Sequence, residues 1–171
     1  MYYFLSAFSA FLIAIMVAVN AKLSIFCGLY SASAIVHITG LIAATSAALL
    51  AKRKLNLSVH APLSLYVGGI IGFFTTFFNF LAVNQISVTA ILALSLLGQA
   101  IFSLVTDQFG FFGMPVRKFS FGKLLGVTIT GLGVCVLLFD RGKLLLIPVI
   151  ASLLSGATVV SSRQINSQLA T

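Results

Sequence analysis

The sequence predicts an all-α fold, a polytopic transmembrane helix bundle, and three observations carry that expectation. Apolar residues make up 60% of the 171 residues and the mean hydropathy is +1.18. That composition leaves too little polar surface for a water-soluble globule. The stretches 1–21, 23–51, 55–106, 124–139 and 144–162 contain no Asp, Glu, Lys or Arg. The third is long enough for two spans joined by a turn, since about 20 apolar residues cross the hydrocarbon. Finally, Asn20-Ala21-Lys22-Leu23 closes the first apolar segment and Asn166-Ser167-Gln168-Leu169 closes the last. On this echo, residues 1–143 are expected to form a five-span unit and residues 144–171 the first helix of an inverted, incomplete second copy.

Six helices follow in order. The first is expected at 3–20: Met1 is followed by Tyr2, Tyr3 and Phe4, and the hydrophobicity does not relent, so it reads as a retained span and not a cleaved signal. The second, 25–51, exceeds the bilayer core and is expected to tilt, bend or extend beyond it. The third, 63–83, carries Gly68, Gly69 and Gly72 and then Asn79; a short turn at Asn84 and Gln85 leads to the fourth, 87–106, with Gln99 at its centre. The fifth, 120–139, has Gly122 and Gly126 four residues apart, and the sixth, 144–163, carries Ser152, Ser155, Gly156, Ala157 and Thr158. Helices in lipid gain little by escaping water, so small residues that let backbones approach are expected at their seams. Gly68, Gly72, Gly122, Gly126 and Gly156 are the positions chosen for that role.

The net charge of +8 comes from short loop clusters, not from a basic stripe on a soluble face, so nucleic acid is not an expected partner. Lys52, Arg53 and Lys54 share a side with Arg117, Lys118 and Lys123, while Lys22, Arg141 and Lys143, offset by Asp140, lie opposite. The richer side is expected to be cytoplasmic, which places the N-terminus inside. Five crossings then put Asn20 and Asn166 on opposite membrane faces.

Polar groups inside apolar segments are costly unless paired, and mark either a polar route or a tie between helices. His37, Asn79 and Gln99 are the deep candidates; Asn20 and Asn166 are candidates for gating or for satisfying helix ends; Arg163 is placed to meet an anionic group or to snorkel to the interface. His37 also raises proton coupling, because imidazole takes up and releases a proton near physiological pH. Asp107 is expected to balance Arg117 or Lys118, and Cys27 and Cys135 to be small buried fillers. No Ser-His-Asp spacing, phosphate loop or metal-ligand pattern is present in the sequence, so no catalytic residue, cofactor or metal is expected.

The chain resembles the YdcZ-like branch of the bacterial drug/metabolite transporter (DMT, EamA-like) superfamily. The resemblance is carried by Asn20-Ala21-Lys22-Leu23, by Gly68-Gly69-Ile70-Ile71-Gly72 with Asn79, and by Leu97-Gly98-Gln99-Ala100 through Ser103. It continues in the run Asp107 to Gly113 before Pro115, in Gly126 and Gly131-Leu132-Gly133, and in Arg163 to Leu169. It implies a small-solute secondary transporter of the bacterial inner (cytoplasmic) membrane, in the manner of an exporter, and the five crossings ahead of the second copy give the inverted repeats expected to work by alternating access. The resemblance also implies a homo- or heterodimer partner or a missing C-terminal half, beside the lipid bilayer and the solute itself. The competing readings are an accessory subunit that pairs with another transporter, and a non-autonomous fragment of a carrier.

Overall fold

In the computed structural model, residues 2–51, 63–83, 85–111, 115–117, 120–139 and 145–169 are described. Six helices form: α1 (Tyr2–Cys27), α2 (Leu29–Leu50), α3 (Leu63–Val83), α4 (Val88–Phe109), α5 (Phe121–Phe139) and α6 (Leu146–Leu169). Five of them contain stretches long and apolar enough to cross a membrane, and α3 contributes the shorter apolar stretch Val67–Val83. Lys52, Arg53, Lys54, Asn84, Lys118, Asp140, Arg141 and Lys143, used above to argue the turn and the orientation, lie outside the described residues.

The first helix corrects the sequence expectation. Asn20 does not end it; α1 continues through Lys22 to Cys27. A lysine ammonium reaches out along its own stem, so one charge does not stop a helix, and Ser24 Oγ donates within the helix to Ala21 O at 2.8 Å. The break comes at Gly28, the one residue between α1 and α2, with φ 77° and ψ 164°. That backbone region is essentially restricted to glycine. The last helix also outruns its expected end, passing Arg163 to reach Leu169.

The α3–α4 turn is tied by Gln85 N–H and Ile86 N–H, both donating to Ala82 O, and by Gln85 Nε2 donating to Leu81 O at 2.9 Å. Ser87 then caps α4, its Oγ accepting from Ala90 N–H at 3.2 Å. Gly110 closes α4 in the left-handed conformation, φ 64°, with its N–H on Thr106 O. Beyond it, Asp107 pairs with Lys123 at 2.7 Å, joining α4 to the start of α5. The side chain of Arg117 is not its counter-ion as expected; the Arg117 backbone N–H donates to Asp107 O at 2.8 Å.

The packing centre is α6, which lies most extensively against α3 and α4. Its registers are opposite on the two sides. Ser162 Oγ donates to Gly68 O at 2.8 Å and Thr75 Oγ1 meets Thr158 Oγ1 at 2.9 Å, so α3 and α6 run antiparallel. Thr158 Oγ1 already donates to Ser155 O at 2.7 Å, so its single proton is committed and Thr75 is the donor between the two hydroxyls. Against α4, Gly98 faces Leu153 and Gln164 Nε2 donates to Thr106 Oγ1 at 2.9 Å, so α4 and α6 run parallel.

Buried apolar residues are few among those described, and six of them, Ala82, Ile86, Ala90, Ile91, Leu94 and Val134, cluster around the α3–α4 turn. Ser33, Thr106, Ser152 and Ser155 are buried as deeply, while large side chains such as Phe26, Tyr30 and Leu50 point outward. Lipid, not water, suits such a surface, and small polar residues between helices replace a large apolar core. Cys27 and Cys135 are free and exposed, not buried fillers as expected.

The glycine seams are also redistributed. A Cβ added at Gly156 would strike Ser95 O and lie 2.6 Å from Gln99 N, and one at Gly98 would strike Leu153 O. One at Gly68 would strike Asn166 Oδ1, and one at Gly72 would touch Ser162 Oγ at 3.5 Å. Gly122 and Gly126 correct the prediction of a seam on α5, since nothing lies within 4 Å of a Cβ at either.

Candidate functional site

A cavity of about 450 Å³ opens between α1, α3, α4 and α6. Its α1 wall runs from Ala10 to Ala21, its α3 wall from Thr75 to Val83, its α4 wall from Val88 to Gln99, and α6 adds Val159 and Arg163. Val83 and Val88 flank the α3–α4 turn, whereas the parallel α4/α6 register sets Arg163 beside the far end of α4. The cavity therefore extends along the bundle from that turn toward the C-terminal part of α6. The α1 wall alone covers about 16 Å at 1.5 Å per residue.

Four of the six sequence candidates line this space: Asn20, Asn79, Gln99 and Arg163. Each sits in an element whose other residues explain its position. Asn79 follows Thr75 and Thr76 on the face of α3 that also bonds α6. Gln99 is held by the Gly98–Gly156 crossing, where the α4 and α6 backbones approach so closely that no side chain fits between them. Asn20 lines the cavity from within α1, not as the cap the sequence suggested.

Among the described residues, none of these four side chains makes a hydrogen bond or ion pair, and Asn79 Oδ1 is fully buried without a partner. Buried amides are ordinarily bonded. Three uncommitted amides and a guanidinium around one solute-sized space can donate to and accept from a guest without first breaking a bond within the protein. Apolar side chains, including Ile13, Met16, Val17 and Phe80, supply the rest of the wall. A mostly apolar pocket with a few convergent polar groups is the usual form of a small-molecule site.

His37 and Asn166 are placed elsewhere. His37 Nδ1 lies 2.8 Å from Ser33 O one turn back, and its ring lies 5.4 Å from that of Phe73. It joins α2 to the phenylalanine ladder of α3 and does not line the cavity. Asn166 lies in the α3/α6 seam, its Nδ2 donating to Ser162 Oγ at 3.4 Å and its Oδ1 against Gly68. Sequence reasoning passed over Ser95, Thr75 and Thr76 in the wall; short hydroxyl residues are so common in membrane helices that nothing marked them out.

Fold and cavity together define a multi-pass membrane protein that encloses a solute-sized space among its helices. The family model DMT_YdcZ, described as "Putative inner membrane exporter, YdcZ", matches residues 1–136, and the chain belongs to that family. It is accordingly an inner-membrane protein of the small-solute transporter class and not an enzyme. The match spans α1 to α4 and most of α5, and α6 lies beyond it. No curated protein and no solved structure matches the chain.

Proposed function

We propose that the chain is a secondary transporter that exports a small solute by alternating access, with the cavity between α1, α3, α4 and α6 as its route. The observation that carries this is the convergence of Asn20, Asn79, Gln99 and Arg163 on one cavity, with their hydrogen-bonding capacity unspent among the described residues. Residues 1–143 act as one unit, and residues 144–171 form the first helix of an inverted second copy. Antiparallel α3 and α6 support that arrangement, because a helix that follows five crossings must oppose the odd-numbered helices of the first unit.

Flux through sealed vesicles carrying the purified chain tests the proposal. Asn79→Leu and Gln99→Leu are expected to lower flux at least about tenfold, the loss of one or two hydrogen bonds to cargo. Flux indifferent to both replacements would remove the cavity from the route, and flux that appears only with an added membrane partner would favour an accessory subunit. Single cysteines replacing Asn20 and Asn166 should be labelled from opposite sides of the vesicle; labelling from the same side would reject the inverted pairing.

A further inference from the structure

We infer that the cargo is a small organic anion, a carboxylate on an apolar body, with Arg163 as its charge partner; this rests on the transport reading of the same cavity. Among the described residues, Arg163 is the sole charged one lining the space, and no acid lines it. The chain has only two acidic residues. Asp107 is committed to Lys123 at 2.7 Å, and Asp140 lies outside the described residues. Among the described residues the guanidinium therefore has no acidic partner.

A fixed positive charge bordering a mostly apolar cavity discriminates by sign. It repels a cationic amine on approach and offers a carboxylate paired, charge-assisted hydrogen bonds. Asn20, Asn79 and Gln99 are neutral amides able to donate or accept, so they impose no charge preference of their own. Ile13, Val17, Phe80 and Ile91 form a wall suited to a hydrocarbon or aromatic body. Arg163 is also exposed at the edge of the cavity, so a phospholipid phosphate offers the same anion chemistry from a different source, and the experiment separates the two.

The test uses the full chain in sealed phosphatidylcholine vesicles and three solutes sharing one body: phenylacetate, phenylacetamide and phenethylamine, each read against protein-free vesicles. Phenylacetate is expected to move at least about tenfold faster than the other two, the discrimination of one charge-assisted contact. Arg163→Gln should abolish that preference, Arg163→Lys should keep part of it, and Arg163→Glu should turn it toward the amine. Equal flux of the three solutes, or a preference that survives Arg163→Gln, overturns the inference and leaves transport standing. So does movement of neutral or cationic solutes from a wider panel when phenylacetate does not move. Absence of flux for the whole panel overturns the transport reading and this inference with it. If phosphatidylglycerol raises the thermal midpoint only when Arg163 is present, and phenylacetate flux ignores Arg163→Gln, the residue serves lipid phosphate and the inference fails.

Discussion

Gly156→Ala is expected to loosen the seam that holds the cavity wall. The added methyl would strike Ser95 O and lie 2.6 Å from Gln99 N and 2.9 Å from Gly98 C, where ordinary contact begins at 3.4 Å. Clearing Gln99 N alone asks for a displacement of about 0.8 Å, and a gap of that size forfeits about a quarter to a half of the attraction between facing atoms. The obstructing atoms are backbone, so no side-chain rotation relieves the clash and the helices must part. Overpacked interiors lose about 1–3 kcal/mol, and a backbone collision belongs at about 3 kcal/mol. Reversible unfolding in mixed detergent micelles measures the loss. Gly126→Ala is the control: its methyl meets nothing within 4 Å, and it should be neutral or gain up to about 1 kcal/mol of helix propensity. Should Gly156→Ala prove as stable as Gly126→Ala, the close crossing and the rigidity it confers on Gln99 would both be wrong.

Three further outcomes follow from the same contacts. Gly68→Ala should cost less than Gly156→Ala, because the atoms it meets first belong to the Asn166 side chain, and adding Asn166→Ala should recover part of the loss in a double-mutant cycle, a coupling of about 1 kcal/mol. Thr75→Val combined with Thr158→Val should show a coupling of about 0.6 kcal/mol, typical of a hydroxyl bond between helices in lipid; independent effects would argue against that bond. Asp107→Asn should lower stability by less than about 1 kcal/mol at low salt and by still less at high salt, because the pair with Lys123 is partly exposed; a thermal melt at two ionic strengths distinguishes this from a buried, salt-insensitive pair.

Part of the polar lining of the cavity was legible in the sequence, because polarity inside an apolar segment is costly and therefore conspicuous. Asn79 and Gln99 were marked by that cost, Asn20 by its echo at Asn166 and Arg163 by its charge near the end of an apolar helix, and all four line one space. His37 and Asn166 gave the same signal for different reasons: one leans on Ser33 O of its own helix and the other lies in a seam with Ser162 and Gly68. Periodicity cannot tell a group satisfied by its neighbours from one left free. The glycines show the same limit, since spacing along a helix says nothing of what lies across from it. Gly122 and Gly126 have the four-residue interval of a packing motif yet meet nothing within 4 Å, whereas Gly98, one residue before a candidate amide, meets Leu153 backbone. Helix ends were misread at Lys22 and at Arg163, where a charge was taken as a stop and the helix runs on.

The joint at Gly28 restricts how the first two helices can behave. A single residue separates Cys27 from Leu29, and the Ala32 N–H already donates back to Gly28 O at 3.0 Å. Only two torsions are left to absorb a change of angle, and both are committed to a region that other residues rarely enter. Whatever draws α1 away from its wall of the cavity must therefore either turn at those two glycine torsions or sweep α2 through the lipid with it. In the second case, opening that side of the cavity displaces bilayer as well as protein, and its speed should follow the viscosity of the membrane around it.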